Sequence, residues 1–305
     1  MGHHRRSVLA CLGLLVASPA WAAERITVVA TFSVIGDMLA NVGGEHLEIR
    51  TVVGPGGDCE LYQPTPADIA TVAAARAVFL NDLNEEFEPW LEPLLKQAGF
   101  KGMKVVVSRR VRTLVAEEEH PVSGRQMPEA IDQHAWLDPR NGAIYVGNIA
   151  TALARLDPAN AASYRANAAA YTKQIQAVDD WARRQLADVP AAKRRALASH
   201  DSLQYLASAY GITLLAVNGW TNNSEPSAAE LATLARRIRA DRVKALFLDS
   251  VTDPRAMRRI ADETGAMIGG TLYGDALSPK GGEADSYLTM LRHDVAVLKA
   301  GMLSN

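Results

Sequence analysis

The chain lacks paired cysteines, a surplus of charge, a second long apolar run and any short-period repeat or low-complexity tract. Each shortage excludes something. Of two cysteines, Cys11 falls in an N-terminal leader, so Cys59 has no intramolecular partner in the mature chain and the fold stands without disulfides. Thirty-two basic against 34 acidic residues leave a formal net charge of −2, which points neither to nucleic acid nor to an anionic membrane as partner. Beyond the leader no run approaches the roughly 20 apolar residues of a membrane span.

What is present begins with an export signal. Residues 1–6 carry Arg5 and Arg6, residues 7–19 are apolar, and Ala20-Trp21-Ala22 fits a small-x-small cleavage site. The signal is assigned to 1–22, with the mature protein starting near Ala23. Cys11 lies too early to serve as a lipid-attachment cysteine, so the reading is secretion without a membrane anchor. The 305 residues, 48% of them apolar, suffice for about two domains with real cores.

The longest helical pattern lies at mid-chain, over residues 157–190. Asp157-Pro158 reads as an N-cap followed by a first-turn proline, and Pro190 as the stop. Between them Tyr164, Tyr171, Ile175, Val178 and Leu186 share one helical face. Flanking this rod, β-rich runs alternate with helical ones. Before it, strands are expected at 26–32, 47–53, 77–80 and 104–108, and helices at 34–42, from Thr65-Pro66, at 88–98 and from Asp138-Pro139 to Leu156. After it, strands are expected at 195–199, 212–217, 244–248 and 266–272, and helices at 201–210, 228–240 (capped by Ser227), 253–264 and 283–302. Strands separated by helices of ten or more residues mean parallel sheets with right-handed crossovers. The expected fold is α/β: two lobes, 23–156 and 191–305, each a roughly four-stranded parallel sheet, joined by one long rigid helix at 157–190.

Open parallel sheets bind ligands beyond the carboxyl ends of their strands. Four polar residues occupy such loops: Glu60 after 47–53, His134 after 104–108, His200 directly after 195–199, and Asp275 after 266–272. Taken singly, a strand-ending histidine is more often structural, and a loop carboxylate is more often solvated. Together, two imidazoles and two carboxylates converging from both lobes would hold a divalent metal and cancel its charge. His3 and His4 leave with the leader, while His46 precedes a strand, His120 lies in an acidic loop and His293 is on the last helix.

The motifs around these four residues resemble those of the periplasmic metal-binding proteins of ABC importers for zinc, manganese or iron, the cluster A-I solute-binding proteins. Gly57-Asp58-Cys59-Glu60-Leu61-Tyr62-Gln63-Pro64-Thr65-Pro66-Ala67-Asp68 resembles the family loop G-D-P-H-x-Y-x-P-T-P-x-D. Asp132-Gln133-His134-Ala135-Trp136-Leu137-Asp138-Pro139 is similar to D-x-H-x-W-L-D-P. Ser199-His200-Asp201 resembles the third-ligand turn, Leu272-Tyr273-Gly274-Asp275-Ala276-Leu277 the final L-Y-x-D-x-L, and Ser224-Glu225-Pro226-Ser227 also has a counterpart. The resemblance covers nearly the whole mature chain and implies two lobes bridged by a rigid helix.

The departure comes at the first ligand, where the family has Pro-His and this chain has Cys59-Glu60. With the loop otherwise kept, the implied ligand set is Glu60, His134, His200 and Asp275. By ligand count that is the manganese or iron type; by His200 at the third position it is the zinc type. The long histidine-rich loop of many zinc members is absent, since residues 109–133 hold only His120. Cys59 is the alternative to Glu60; neighbours in an extended loop point opposite ways, so one of the two reaches the metal. Asp249 is either a partner that orients a ligand imidazole or an ordinary helix-capping carboxylate. Asp201 and Asp138 read as helix caps.

The resemblance implies a periplasmic carrier, not an enzyme; nothing in the sequence predicts oligomerisation, and a monomer is the default expectation. The carrier would capture a divalent transition metal as cargo, manganese or zinc with iron a third candidate, and hand it to a cognate membrane ABC permease. The alternative from another class is a secreted metallohydrolase with Glu60 as general base and His134, His200 and Asp275 as ligands.

Overall fold

A computed structural model describes residues 25–83, 87–115, 131–216, 228–241 and 243–305. The leader with Cys11, His120, and Ser224 to Ser227 with its expected helix cap lie outside the described residues.

Strands β1 (Ile26–Phe32), β2 (Leu47–Val53), β3 (Ala77–Leu80) and β4 (Met103–Val106) form a parallel sheet in the order β2-β1-β3-β4. Strands β5 (Arg195–Ala198), β6 (Thr213–Ala216), β7 (Ala245–Asp249) and β8 (Met267–Leu272) form a second in the order β6-β5-β7-β8. The two orders are one permutation used twice. Every pairing is parallel, from Ile26↔Leu47 in the first sheet to Asp249↔Leu272 in the second. Parallel strands carry helices on both faces, which is why Ala77-Val78-Phe79-Leu80 is buried at all four positions.

The helices start where local chemistry satisfies their free amides. In α2 (Pro66–Ala74), Thr65 and Asp68 form a reciprocal capping box ahead of Pro66. Asp138 caps α4 (Pro139–Leu156) through Arg140 N, and Ser286 with Thr289 boxes α9 (Tyr287–Leu303). That cap sets the start of α9 four residues later than the pattern implies. Helices α6 (Gln204–Tyr210) and α8 (Arg255–Thr264) end at Gly211 and Gly265, both in the left-handed conformation. Helix α3 (Leu91–Gln97) begins after residue 88, because the Glu88 carboxylate turns inward to accept from Asn81 N at 3.1 Å. The remaining helices are α1 (Ser33–Gly43) and α7 (Ala228–Asp241).

The mid-chain rod is α5 (Ala161–Ala187), 27 residues, or about 40 Å at 1.5 Å per residue. It is shorter than 157–190 for a local reason. Asp157 caps a separate 3-10 turn, Pro158–Asn160, and its Oδ2 accepts from Tyr164 Oη and Asn160 Nδ2, both at 2.7 Å. Tyr164, Ala168, Tyr171, Ile175, Val178, Ala182 and Leu186 form its buried stripe. At about 1.5–3 kcal/mol per large apolar side chain, this burial outweighs helix propensity in holding the rod. The stripe packs on α1 and α4 from one half and on α9 from the other. One apolar cluster therefore runs unbroken from Val28 and Phe79 through the stripe to Phe247 and Leu291, and a smaller one lies under α7 and α8. Asp37 ties three elements together: its Oδ2 accepts from Tyr171 Oη of α5 at 2.9 Å and from Tyr287 N of α9 at 3.1 Å.

Candidate metal centre

Four loops at the carboxyl ends of β2, β4, β5 and β8 meet between the sheets. In the first, Asp58 Oδ1 accepts from the amides of Glu60 (2.9 Å) and Leu61 (3.1 Å), an Asx turn that aims Glu60 inward. Trp90 Nε1 donates to the Cys59 carbonyl at 2.7 Å, and Gly56 N reaches Leu277 O of the other half at 2.8 Å. In the second, Asp132 Oδ1 accepts from both His134 N (2.9 Å) and His134 Nδ1 (2.8 Å), which turns Nε2 toward the cleft. His200 follows Ser199, whose hydroxyl accepts from Asp249 N at 2.7 Å and so fastens the end of β5 to β7. In the fourth, Trp136 Nε1 donates to Gly274 O at 3.0 Å and Asp294 Oδ1 accepts from Tyr273 N at 3.0 Å, fixing the turn that presents Asp275.

The structure brings all four expected residues together. Glu60, His134, His200 and Asp275 each offer a ligand atom, and these atoms lie within 4.8 Å of one another. His134 Nε2 is 3.1 Å from Asp275 Oδ1, His200 Nε2 is 3.5 Å from Asp275 Oδ2, and His200 Nε2 is 3.7 Å from Glu60 Oε1. Ligands at roughly 2.0–2.2 Å from a tetrahedral metal lie about 3.4 Å apart, so these edges have the size of a first coordination sphere. All four residues are buried. Neither Asp275 oxygen nor His134 Nε2 has a hydrogen bond of good geometry among the described residues. Buried polar atoms are otherwise almost always satisfied, so these fit a cation as their missing partner. Phe87 and Trp136 stack edge-on against the His134 ring and exclude water from its back.

Electrostatics match that geometry. Burial opposes charge on His134, yet the Asp275 and Asp132 carboxylates outweigh it and hold the imidazole well above its ordinary range. Burial alone would raise Asp275, but the two imidazoles pull it below the usual carboxylate range. Cys59 is different. Burial, then the nearby Glu88 and Asp275 carboxylates, push its thiol well up, so it carries no thiolate at neutral pH. Its side chain belongs to the large apolar cluster, and the four-residue group does not include it.

Residues 28–301 match the family described as ZnuA, zinc-uptake complex component A periplasmic. The chain belongs to that family. The metal ABC transporter substrate-binding lipoprotein SloC of Streptococcus mutans serotype c is 31% identical over 97% of this chain and 97% of its own length. The iron-binding protein YfeA of Yersinia pestis is also 31% identical, over 97% of this chain and 92% of its own. Among solved structures, the Mn-bound periplasmic metal binding protein from candidatus Liberibacter asiaticus superposes with a TM-score of 0.79 at 29% identity, covering 91% of this chain and 100% of that one. The ZnuA family is one of substrate-binding proteins, and this favours the carrier reading over the metallohydrolase.

Two sequence-level expectations about surrounding carboxylates change. Asp249 does not bond an imidazole: its Oδ2 accepts from Ser202 Oγ at 3.2 Å and its Oδ1 from Val251 N at 3.0 Å. The carboxylate that orients a cleft imidazole is Asp132, which the sequence reading did not single out. Its signal was its position two residues before His134, the spacing at which an Asp side chain reaches a nearby backbone amide. Asp138 caps α4 as expected, whereas Asp201 lies inside a 3-10 turn, Asp201–Leu203, and accepts from Gln204 Nε2.

Proposed function

We propose that this protein is a periplasmic carrier that captures a divalent transition metal between its two lobes, through Glu60, His134, His200 and Asp275, and delivers it to a membrane ABC permease. The convergence of four buried ligand atoms within 4.8 Å carries the reading. Membership of a family of metal importer components supports it. Two carboxylates balance a dication's charge and two neutral imidazoles complete the sphere. With all four positions supplied by protein, no site is left open for a substrate or an activated water.

Manganese and zinc are the cargo candidates, and iron follows them. Carboxylate oxygens suit the harder Mn²⁺, while Zn²⁺ binds almost any nitrogen/oxygen site more tightly. Zinc found in a purified sample therefore says little about cargo. The continuous core along α5 makes a wide hinge motion costly, so release proceeds by displacement of the cleft loops when the permease docks. No helix of the described residues is long and apolar enough to cross a membrane. We place the carrier in the periplasm after removal of residues 1–22, as a monomer.

The test is calorimetric titration of the metal-free mature protein with Mn²⁺ and with Zn²⁺, on wild type and Glu60→His. One ion per chain is expected in wild type, with Glu60→His losing Mn²⁺ and keeping Zn²⁺. Wild type that binds neither ion overturns the reading.

A further inference from the structure

We propose that Gln133 is the positioning residue for Glu60, a neutral donor that holds the carboxylate ready for the metal and favours cargo that depends on a carboxylate oxygen. The inference rests on the proposed role of Glu60 as a ligand. Gln133 Nε2 donates to Glu60 Oε1 at 3.1 Å, the same oxygen that lies 3.7 Å from His200 Nε2. The bond thus falls on the oxygen that faces the site.

The backbone that carries Gln133 is held from both halves of the molecule. Asn81 Nδ2 at the end of β3 donates to the Gln133 carbonyl at 2.8 Å, and Tyr205 Oη of α6 donates to the Asp132 carbonyl at 2.8 Å. Asp132 and His134 then close the segment on itself. The direction of the amide follows from chemistry: its oxygen turned toward Glu60 would oppose two acceptors, so the NH₂ end faces the carboxylate. Gln133 is 1% exposed, and its Oε1 has no hydrogen-bond partner among the described residues. A buried amide with one end unsatisfied lowers stability. The bond that its side chain does make is to a site residue.

The terminal torsion of a glutamate is broad, so an unheld carboxylate samples many orientations. A fixed donor removes that freedom before the metal arrives. Being neutral, Gln133 leaves the Glu60 charge intact and adds none to repel a cation. Zn²⁺ draws most of its affinity from the imidazoles; Mn²⁺ draws relatively more from carboxylate oxygen. Losing the donor should therefore cost Mn²⁺ more.

The experiment compares wild type, Gln133→Met (similar length, no donor), Glu60→Ala and the double variant. Each is titrated in metal-free form with Mn²⁺ and Zn²⁺, and the electron paramagnetic resonance spectrum of bound Mn²⁺ is recorded for wild type and Gln133→Met. Gln133→Met should lower Mn²⁺ affinity about 10–100-fold and Zn²⁺ affinity by less, with a changed Mn²⁺ fine structure. In the Glu60→Ala background it should cause no further loss of Zn²⁺ affinity. Gln133→Met that binds Mn²⁺ like wild type with an unchanged spectrum overturns this inference alone. So does an equal Zn²⁺ loss with and without Glu60. Wild type that binds neither ion overturns the carrier reading and this inference with it.

Discussion

His134 Nε2 of the first half lies 3.1 Å from Asp275 Oδ1 of the second. In the metal-free protein the Asp275 and Asp132 carboxylates hold the imidazole well above its ordinary range despite burial, so protons compete with a cation for it. A metal held by His134 would have to displace such a proton. Affinity should fall as pH drops from 7.5 to 5, by up to about tenfold per unit for each proton displaced. Titration across that range in buffers of different ionisation enthalpy measures the released protons. A flat affinity would remove the imidazoles from the ligand set.

The same contact governs the stability of the metal-free protein, with a definite sign. A histidine whose folded-state pKa is raised contributes stability that is fully present below its unfolded value near 6.5 and is lost as pH rises through the folded value. The metal-free melting temperature should decline as pH is raised above neutrality, and the loaded protein should lose this dependence. Thermal unfolding at pH 6.5, 8 and 9.5, with and without metal, checks both halves of the statement.

Glu60 and Cys59 are adjacent but face different surroundings, the cleft and the apolar cluster. Glu60→Ala should weaken metal binding strongly. Cys59→Ser should leave affinity nearly unchanged and lower stability by about 1–3 kcal/mol, the cost of burying an unpaired hydroxyl. Calorimetry and thermal melts of both variants separate the two effects. The reverse pattern would transfer the ligand to the thiol.

Asp132 orients His134 through Nδ1, whereas Asp249 accepts from Ser202 Oγ and Val251 N. Asp132→Ala should cost about 10–100-fold in metal affinity, and Asp249→Asn clearly less. Equal losses would mean that Asp132 has no special hold on the imidazole.

Gly142 lies inside α4, where alanine would ordinarily be the better helix former by about 1 kcal/mol. A Cβ there would overlap the Tyr287 hydroxyl, which donates to the Trp136 carbonyl. Gly142→Ala should therefore destabilise the protein by about 1–3 kcal/mol, through overpacking. A melting temperature at or above that of wild type would contradict this close approach of α9 to α4.

Local pattern sufficed for much of the fold because the signals are local. Strand runs such as residues 26–32 and 47–53, the Thr65-Pro66 and Asp138-Pro139 caps, and the α5 stripe all depend on neighbours within a few residues. Where a boundary moved, a side chain was satisfied in a way the pattern does not encode: Asp157 caps a separate 3-10 turn ahead of α5. Glu88 turns into the core to meet Asn81, and Ser286 with Thr289 delays α9. The four cleft residues were legible for a topological reason: parallel strands deliver their following loops to one end of each sheet.

The sequence by itself determined two parallel α/β units, the helix between them, and which four side chains stand at strand ends. Only the tertiary structure decided that Cys59 turns into the core while Glu60 enters the cleft, that Asp132 rather than Asp249 orients an imidazole, and that Gln133 meets Glu60 across 73 residues of chain. The reason is physical. Periodicity and capping act over one or two turns of chain, whereas the direction of a buried polar side chain is set by whichever partner, however distant in sequence, satisfies it away from water.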